Sequence, residues 1–548
     1  MSSFTYENVQ PEFVAVVLAS TVGARLFPMS SSAQPKHLLP VAGLPSLERL
    51  LSVLSDFSQV FIAIAADDQT TVPTLFEGND LWRAENVTVV PDVPAPPTTT
   101  AASPAFPQPH SVWKPSNNET TPISLPTSVT IVRMPEECPG SAEVIRQLEG
   151  LLPRQAHTLV LPGDLVVTKT STSISALLQA HRQGQTNHNH NSKEKAACTL
   201  LLQDVGEQDE QGVPLKESAK QKKGGLAREP EDIEYMAIAF GTTSTRLLWK
   251  QGKMEAEQDE AFTLTGQTPK LNLPKARFRP SGVVKVRQDW NDLHVYVLAP
   301  WVVRLVQAKT SIVSLQRDLL PLLVRRQWLG KVETFGQYVE PHRILEILEE
   351  DVVNANHDSS TSILHTATTT TNNLIPRDAH SPNMVAAMAM KPKQTYSVLA
   401  HVGTGAMRNS SLPAYLYASK DFLLKMVDPA RQRQDSDCLR LPSNATTNPK
   451  LVSLLLKDAT IGDKPTLKAS IIGKGCQLGN KCRLNNVVLM DDVQLGDNVV
   501  LQNTIVGKAA VIGDNCSLND CQVAAGVKVE SGTKEKGEVL VDSVAVVG

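Results

Sequence analysis

Near the C-terminus of this 548-residue chain an aliphatic residue returns at Ile472, Leu478, Leu484, Leu489, Leu495, Leu501, Val506, Ile512, Leu518 and Val523, in steps of six, six and five. Residues 472, 489, 506 and 523 are therefore each 17 positions apart, and so long a period marks a stacked repeat rather than a single helix or strand. A second register lies four positions after each aliphatic, at Cys476, Cys482, Val488, Val493, Val499, Ile505, Ala510 and Cys516, all small or β-branched. One large and one small inward position per six residues describe a triangular coil with one short strand per side. Gly473, Gly479, Gly496, Gly507 and Gly513 follow the aliphatic residue and are expected to ease the corners.

This pattern resembles the left-handed parallel β-helix of hexapeptide-repeat proteins. Many of those are acyltransferases that use a histidine base, but the last histidine here is His401, before the repeat begins. The resemblance therefore implies a coil that pairs subunits rather than one that transfers acyl groups. Of the seven cysteines, four lie in the repeat, and Cys476, Cys482 and Cys516 fall in the small inward register. They read as small buried hydrophobes. Metal-ligand spacing is absent, no CxxC pair occurs, and no metal or other cofactor is expected.

A chain this long implies two or three domains. A formal charge of −3 gives no global attraction to nucleic acid or an anionic membrane, so neither is expected as a direct partner. The start, MSSFTYENVQPE, lacks a basic head and an apolar core, and no stretch is apolar enough to span a bilayer. With free thiols expected, the reading is cytosolic.

Phe13 to Ala19, FVAVVLA, and Val60 to Ala66, VFIAIAA, are continuous apolar runs typical of strands buried on both faces of a parallel sheet. Between them PSLERLLSVLSDF places Leu47, Leu50, Leu51, Leu54 and Phe57 on one helical face, with Ser46 as the expected N-cap. HTLVLPGDLVV, from His157, supplies another strand that ends at Asp164. The order predicts a doubly wound α/β domain, whose ligands sit at the carboxyl ends of strands. The boundaries read as an α/β domain over 12–350, with disordered insertions at 92–127 and 203–232, a linker over 354–384, and a connecting segment plus β-helix over 385–548. The histidines of TNHNHN, Thr186 to Asn191, read as solvated loop.

After the first strand come Leu18, Ala19, Ser20, Thr21, Val22, Gly23, Ala24, Arg25, Leu26, Phe27 and Pro28, then PKHLLPV from Pro35 to Val41. This resembles the phosphate-gripping loop of sugar-nucleotide pyrophosphorylases, which are also an α/β domain followed by a β-helix. The resemblance points to Gly23, Arg25 and Lys36 in the loop, to Gly140 in CPGSAEVIRQL as the base-reading segment, and to Asp164 as the metal-binding aspartate. Several departures argue against retained chemistry. Ser20 and Thr21 carry Cβ atoms where glycines would let amides approach phosphate. Leu293, in NDLHVYV, stands where a glycine would leave room for the sugar, and the nearest candidate for the phosphate-binding lysine is in LLWKQGK. Phosphoryl transfer depends on positioning and charge neutralisation, so these five residues are expected to form a vestigial nucleotide-binding loop, with no catalytic residues.

The segments STRLLWK (Ser244 to Lys250), DLHVYVLAPWVV (Asp292 to Val303) and SIVSLQRDLLPLLVRRQW (Ser311 to Trp328) resemble the gamma-subunit family of the eukaryotic translation initiation factor two-B complex. So do AYLYASKDFLLKM (Ala414 to Met426) and GTKEKGEVLV (Gly532 to Val541). That complex is the guanine nucleotide exchange factor for initiation factor two. Its epsilon subunit adds a C-terminal helical domain that carries exchange, for which VLVDSVAVVG leaves no room here. The resemblance implies a non-catalytic partner of the epsilon subunit and the other subunits, which helps dock initiation factor two. The alternative reading is a sugar-phosphate nucleotidyltransferase that makes an NDP-sugar.

Overall fold

A computed structural model describes residues 11–77, 87–90, 128–167, 173–186, 195–205, 232–240, 245–253, 283–327, 396–426, 438–439, 446–447 and 453–541, apart from positions 22, 33, 136, 137 and 457. The expected insertion at 92–127, the linker at 354–384 and the TNHNHN histidines fall outside them.

The α/β domain is built from β1 (Phe13–Ala19), the two-residue pair β2 (Pro40–Val41) and β3 (Leu44–Pro45), β4 (Gln59–Ile64), β5 (Val87–Val90), β6 (Ser128–Arg133), β7 (His157–Pro162) and β8 (Leu165–Val167). It continues with β9 (Lys195–Asp204), β10 (Glu234–Phe240), β11 (Thr245–Gly252), β12 (Val284–Arg287), β13 (Trp290–Leu298), β14 (Tyr396–Gly403) and β15 (Ala406–Arg408). Eleven strands share one sheet in the order β12-β10-β11-β14-β9-β13-β7-β1-β4-β6-β5. β1 runs parallel to β4 and to β7, whereas β13 inserts antiparallel between β7 and β9, so the sheet is mixed rather than purely parallel.

Alternate residues of β1 feed two cores. Val14 and Val16 join the helices Ser141–Gln147, Pro300–Ala308 and Leu320–Arg326 on one face. Ala15 and Val17 join the helices Ser46–Val53 and Ser173–Thr186 on the other. This is the covering of both faces that continuous apolar strands require. Ser46 does not cap its helix. Pro45 holds the N-cap position, and the Ser46 hydroxyl donates to the Leu39 carbonyl at 3.0 Å.

Two expected boundaries differ from the structure. Gln203 and Asp204 are the last residues of β9, paired with Asn291 and Trp290, so the interruption begins after them. More consequentially, the segment assigned to the second domain from 385 onward returns to the first. β14 lies between β11 and β9, parallel to β9, and β15 pairs with β8. Its apolar residues, Val398 to Ala400, complete a sheet that would otherwise leave β9 and β11 without a neighbour between them.

The C-terminal domain is a three-sided parallel β-helix whose strands stack 17 residues apart, Ile472 on Leu489 on Val506 on Val523 along one side. All ten periodic aliphatics are buried. So are Cys476, Cys482, Val493, Val499, Ala510 and Cys516, inside the coil. Burial pushes the Cys476 thiol up to about 12, as suits an inert core residue. Val488 and Ile505 do not point inward. On the five-residue side the inward small position falls one residue earlier, at Val487 and Cys521, and Val488 and Ile505 face the α/β domain.

The corners also differ from expectation. Left-handed backbone falls not on the periodic glycines but two or three residues after the periodic aliphatics, at Lys481, Asn486, Asp492, Asn498, Asn503, Ala509, Asn515 and Asp520, with φ between 48° and 62°. Asn and Asp tolerate that region best among non-glycine residues. The periodic glycines serve close stacking instead: a Cβ on Gly473 would lie 2.5 Å from the Met490 carbonyl oxygen of the next coil.

Candidate functional site

The loop after β1 turns at Gly23, whose φ of 91° and contact with the Lys36 stem both favour glycine. Ser30 donates to the Gly23 carbonyl at 2.7 Å. Leu26, Met29, Leu39 and Val41, all buried, then form one side of the junction with the β-helix. Ile471, Val488, Met490 and Ile505 form the other side, with Met407, Tyr415 and Ala418 between. The Tyr415 hydroxyl, on the helix Leu412–Met426, donates to the Pro40 carbonyl at 2.6 Å. The apolar part of the loop thus joins two domains.

Its polar part turns toward Asp164, which lies in the tight turn between β7 and β8 with no exposed surface. The Lys36 ammonium lies 3.2 Å from the carboxylate. Arg408, at the end of β15, reaches it at 3.1 and 3.4 Å. Burial alone would raise this carboxyl, but the Arg408 and Lys36 cations overcome that and hold it well below the usual range. The carboxylate that the family resemblance assigns to a metal is therefore neutralised by two cations of its own chain.

Arg408 continues inward. Its third guanidinium nitrogen, Nη1, donates to His294 Nδ1 at 2.7 Å, which makes Nδ1 the acceptor and leaves the ring proton on Nε2. Burial, then the neighbouring Arg408 cation, lower the His294 pKa and keep the ring neutral. The His294 amide donates to Asp292 at 2.8 Å, and Asp292 also accepts from Tyr296 at 2.9 Å and from Lys250 at 2.6 Å. Lys250 bridges to Glu234 at 3.0 Å. Burial lowers Lys250, but Asp292 and Glu234 more than offset it and keep the amine charged. A continuous buried network so runs from Lys36 to Glu234, with three basic and three acidic side chains along it. Lys250 is not free to meet a phosphate.

Two further expectations meet the same kind of occupancy. Leu293 is fully buried within the apolar core of its face, so a packed side chain occupies the position where the resemblance would call for a glycine. Gly140 precedes the helix Ser141–Gln147, but a Cβ there would lie 2.4 Å from the Val313 carbonyl oxygen. That carbonyl accepts from the Ala142 amide at 3.0 Å, and Ser141 Oγ accepts from the Leu315 amide at 2.9 Å. The helix terminus that would read a base is held by residues 313–315.

The five residues singled out from sequence therefore do not form one set. Lys36 and Asp164 meet, Gly23 steers Lys36, and Arg25 forms a two-pronged ion pair with Asp232 at 2.9 and 2.5 Å near the surface. Gly140 contacts Val313. Sequence reasoning missed Arg408, His294, Asp292 and Glu234. The available signal was isolated charge within apolar strands, Glu234 in EYMAIAF and Asp292 in WNDLHVYVL. Among the described residues no three His, Cys, Asp or Glu side chains are grouped to hold a metal, and no helix is long and apolar enough to cross a membrane.

One comparison bears on the coil. Residues 441–540 match the family model described as the EIF2B subunit epsilon LbH domain. The match spans the hexapeptide coil and stops short of the α/β domain. The coil is accordingly of the left-handed β-helix kind found in EIF2B subunits, which agrees with its three parallel sheets.

Proposed function

We propose that this chain is a non-catalytic, structural and regulatory subunit of the guanine nucleotide exchange factor that recharges translation initiation factor two with GTP. In that reading it is of the gamma type and works beside an epsilon-type catalytic chain in the cytosol. The EIF2B-type coil supports the complex, and the five sequence segments that resemble gamma subunits support the role within it.

The observation that carries the non-catalytic part is Asp164. Its charge is matched by Lys36 and Arg408, so a magnesium ion would have to displace both from a fully buried position. The packed side chain of Leu293 and the bound amine of Lys250 point the same way.

Two measurements test the reading. Purification of the tagged chain from its own cells should bring down a longer chain with the same two domains plus a helical tail. Incubation with magnesium, nucleoside triphosphates and a panel of sugar 1-phosphates should release no pyrophosphate. A saturable release with any one sugar would establish the nucleotidyltransferase instead.

A further inference from the structure

The three sides of the coil have different surroundings. One side carries Ile471, Val488 and Ile505 and is covered by the α/β domain. A second presents the single column Thr460, Gln477, Gln494, Val511 and Lys528. The third is wider. Beyond the short strand Thr446–Thr447, its strands Thr466–Lys468, Arg483–Asn485, Val500–Gln502, Ser517–Asn519 and Lys534–Lys536 place two outward columns side by side.

The first of these columns reads Thr466, Arg483, Val500, Ser517, Lys534 and the second Lys468, Asn485, Gln502, Asn519, Lys536. Neither contains a carboxylate. Glu535 stacks on Leu518 in the inward register but is exposed at the end of the coil, between Lys534 and Lys536, and Asp520, at the corner beside Asn519, accepts from Asn503 at 2.9 Å. Lys468, Arg483, Lys534 and Lys536 are all exposed, and no described carboxylate pairs with them. The cations lie toward the two ends, roughly 19 Å apart at four strand spacings. Between them the face is flat and neutral, with Val500 38% exposed among Asn485, Gln502 and Ser517.

We infer that this face is a docking surface for an acidic patch on a different polypeptide. A neutral centre with charged margins is the arrangement of a protein interface, in which charge fixes register and speeds encounter. The chain as a whole is slightly acidic, so four unpaired cations on one face are a local departure from its own charge. A second copy does not suit the face. Two-fold pairing would set Lys468 of one copy near Lys536 of the other, and like charges in register repel. Nucleic acid suits it less, because neither column holds an aromatic ring on which a base could stack.

The inference uses the proposed function only for its setting, an assembled hetero-oligomer. The test is zero-length carboxylate-to-amine cross-linking of the tagged full chain purified with its partners, followed by peptide mapping. Lys468 and at least one of Lys534 and Lys536 should link to Asp or Glu residues of one other polypeptide. The variant Lys468→Glu/Arg483→Glu/Lys534→Glu/Lys536→Glu should retain that polypeptide about tenfold less at physiological salt. Gln477→Glu/Lys528→Glu, on the neighbouring side, should retain it normally. Arg483→Glu alone, with circular dichroism unchanged, guards against a folding artefact and should give a smaller loss in the same direction. Links confined to this chain or to a second copy, release of the partner by nuclease, or full retention by the fourfold variant would overturn the inference. Links to an acidic protein in a complex that lacks an epsilon-type chain would uphold the surface and refute the proposed function.

Discussion

The Arg408 guanidinium lies 3.1 Å from the Asp164 carboxylate, although 244 positions separate them in the chain. Asp164 ends the seventh strand's turn and Arg408 ends β15, after the interruption that the sequence presents as a linker. This pair ties the far side of that interruption to the loop after β1, because Lys36 shares the same carboxylate.

Arg408→Ala should destabilise the α/β domain by about 3–5 kcal/mol, since it strips one of two partners from a buried carboxylate. Arg408→Ala combined with Asp164→Asn should recover part of that loss by removing the stranded charge. Urea unfolding of the two variants and the parent checks both. Recovery would fail if Arg408 acted through packing alone.

Charged substitutions on the coil should separate two effects. Ile512→Asp buries an unpaired charge inside the coil and should cost about 3–5 kcal/mol, with loss of the β-helix itself. Val488→Asp and Ile505→Asp lie on the outward side, against Leu26, Met29 and Tyr415. They should leave the coil folded and part the two domains, seen as two separate thermal transitions in place of one.

Gly496→Ala should be destabilising by about 1–3 kcal/mol, because the new methyl would meet Asp514 Oδ1 at 2.3 Å and backbone at 2.8 Å. Asn498→Gly, two residues on, should be nearly neutral, because its left-handed φ of 54° suits glycine. Melting temperatures of the two variants should therefore diverge, although both sites look like corner positions.

Stability should rise with pH between about 3 and 6.5. Burial lowers His181 to about 3, where its ring nitrogens meet His157 at 3.0 Å and Thr199 at 2.8 Å, and burial lowers His157 as well. The unfolded chain takes up a proton on His181 near pH 6.5 while the folded chain does not, so acid favours unfolding by about 1.4 kcal/mol per pH unit from this group, and His157 acts in the same direction. Asp164 acts in the same direction lower down: its folded pKa is depressed, so its contribution is complete above pH 4 and is lost on further acidification. Denaturant midpoints at pH 7, 6 and 5 should fall in order, and His181→Gln should flatten the slope.

Lys36→Ala and Arg25→Ala should leave nucleotide exchange by the assembled complex nearly intact, as expected of scaffold residues. Exchange rates on purified complex check this. Loss of exchange by Lys36→Ala in a complex that still assembles would give the loop an active role.

The sequence by itself determined the coil. Its 17-residue period is a contact between one turn and the next, so each large inward residue was visible from spacing alone. It also marked the buried strands, whose apolar runs have no other use, and its resemblance to a known family singled out Gly23, Lys36 and Asp164. The tertiary structure decided what those residues meet. Which way Val488 and Ile505 face depends on a one-residue difference on the five-residue side, and that shows only when the coil closes. The partners of Asp164 depend on β14 and β15 returning to the sheet across an interruption of no readable period. Local pattern reports which faces are apolar because burial acts on each residue in turn. An ion pair between residues 164 and 408 leaves no such trace, since the distance between two charges is set by the fold as a whole.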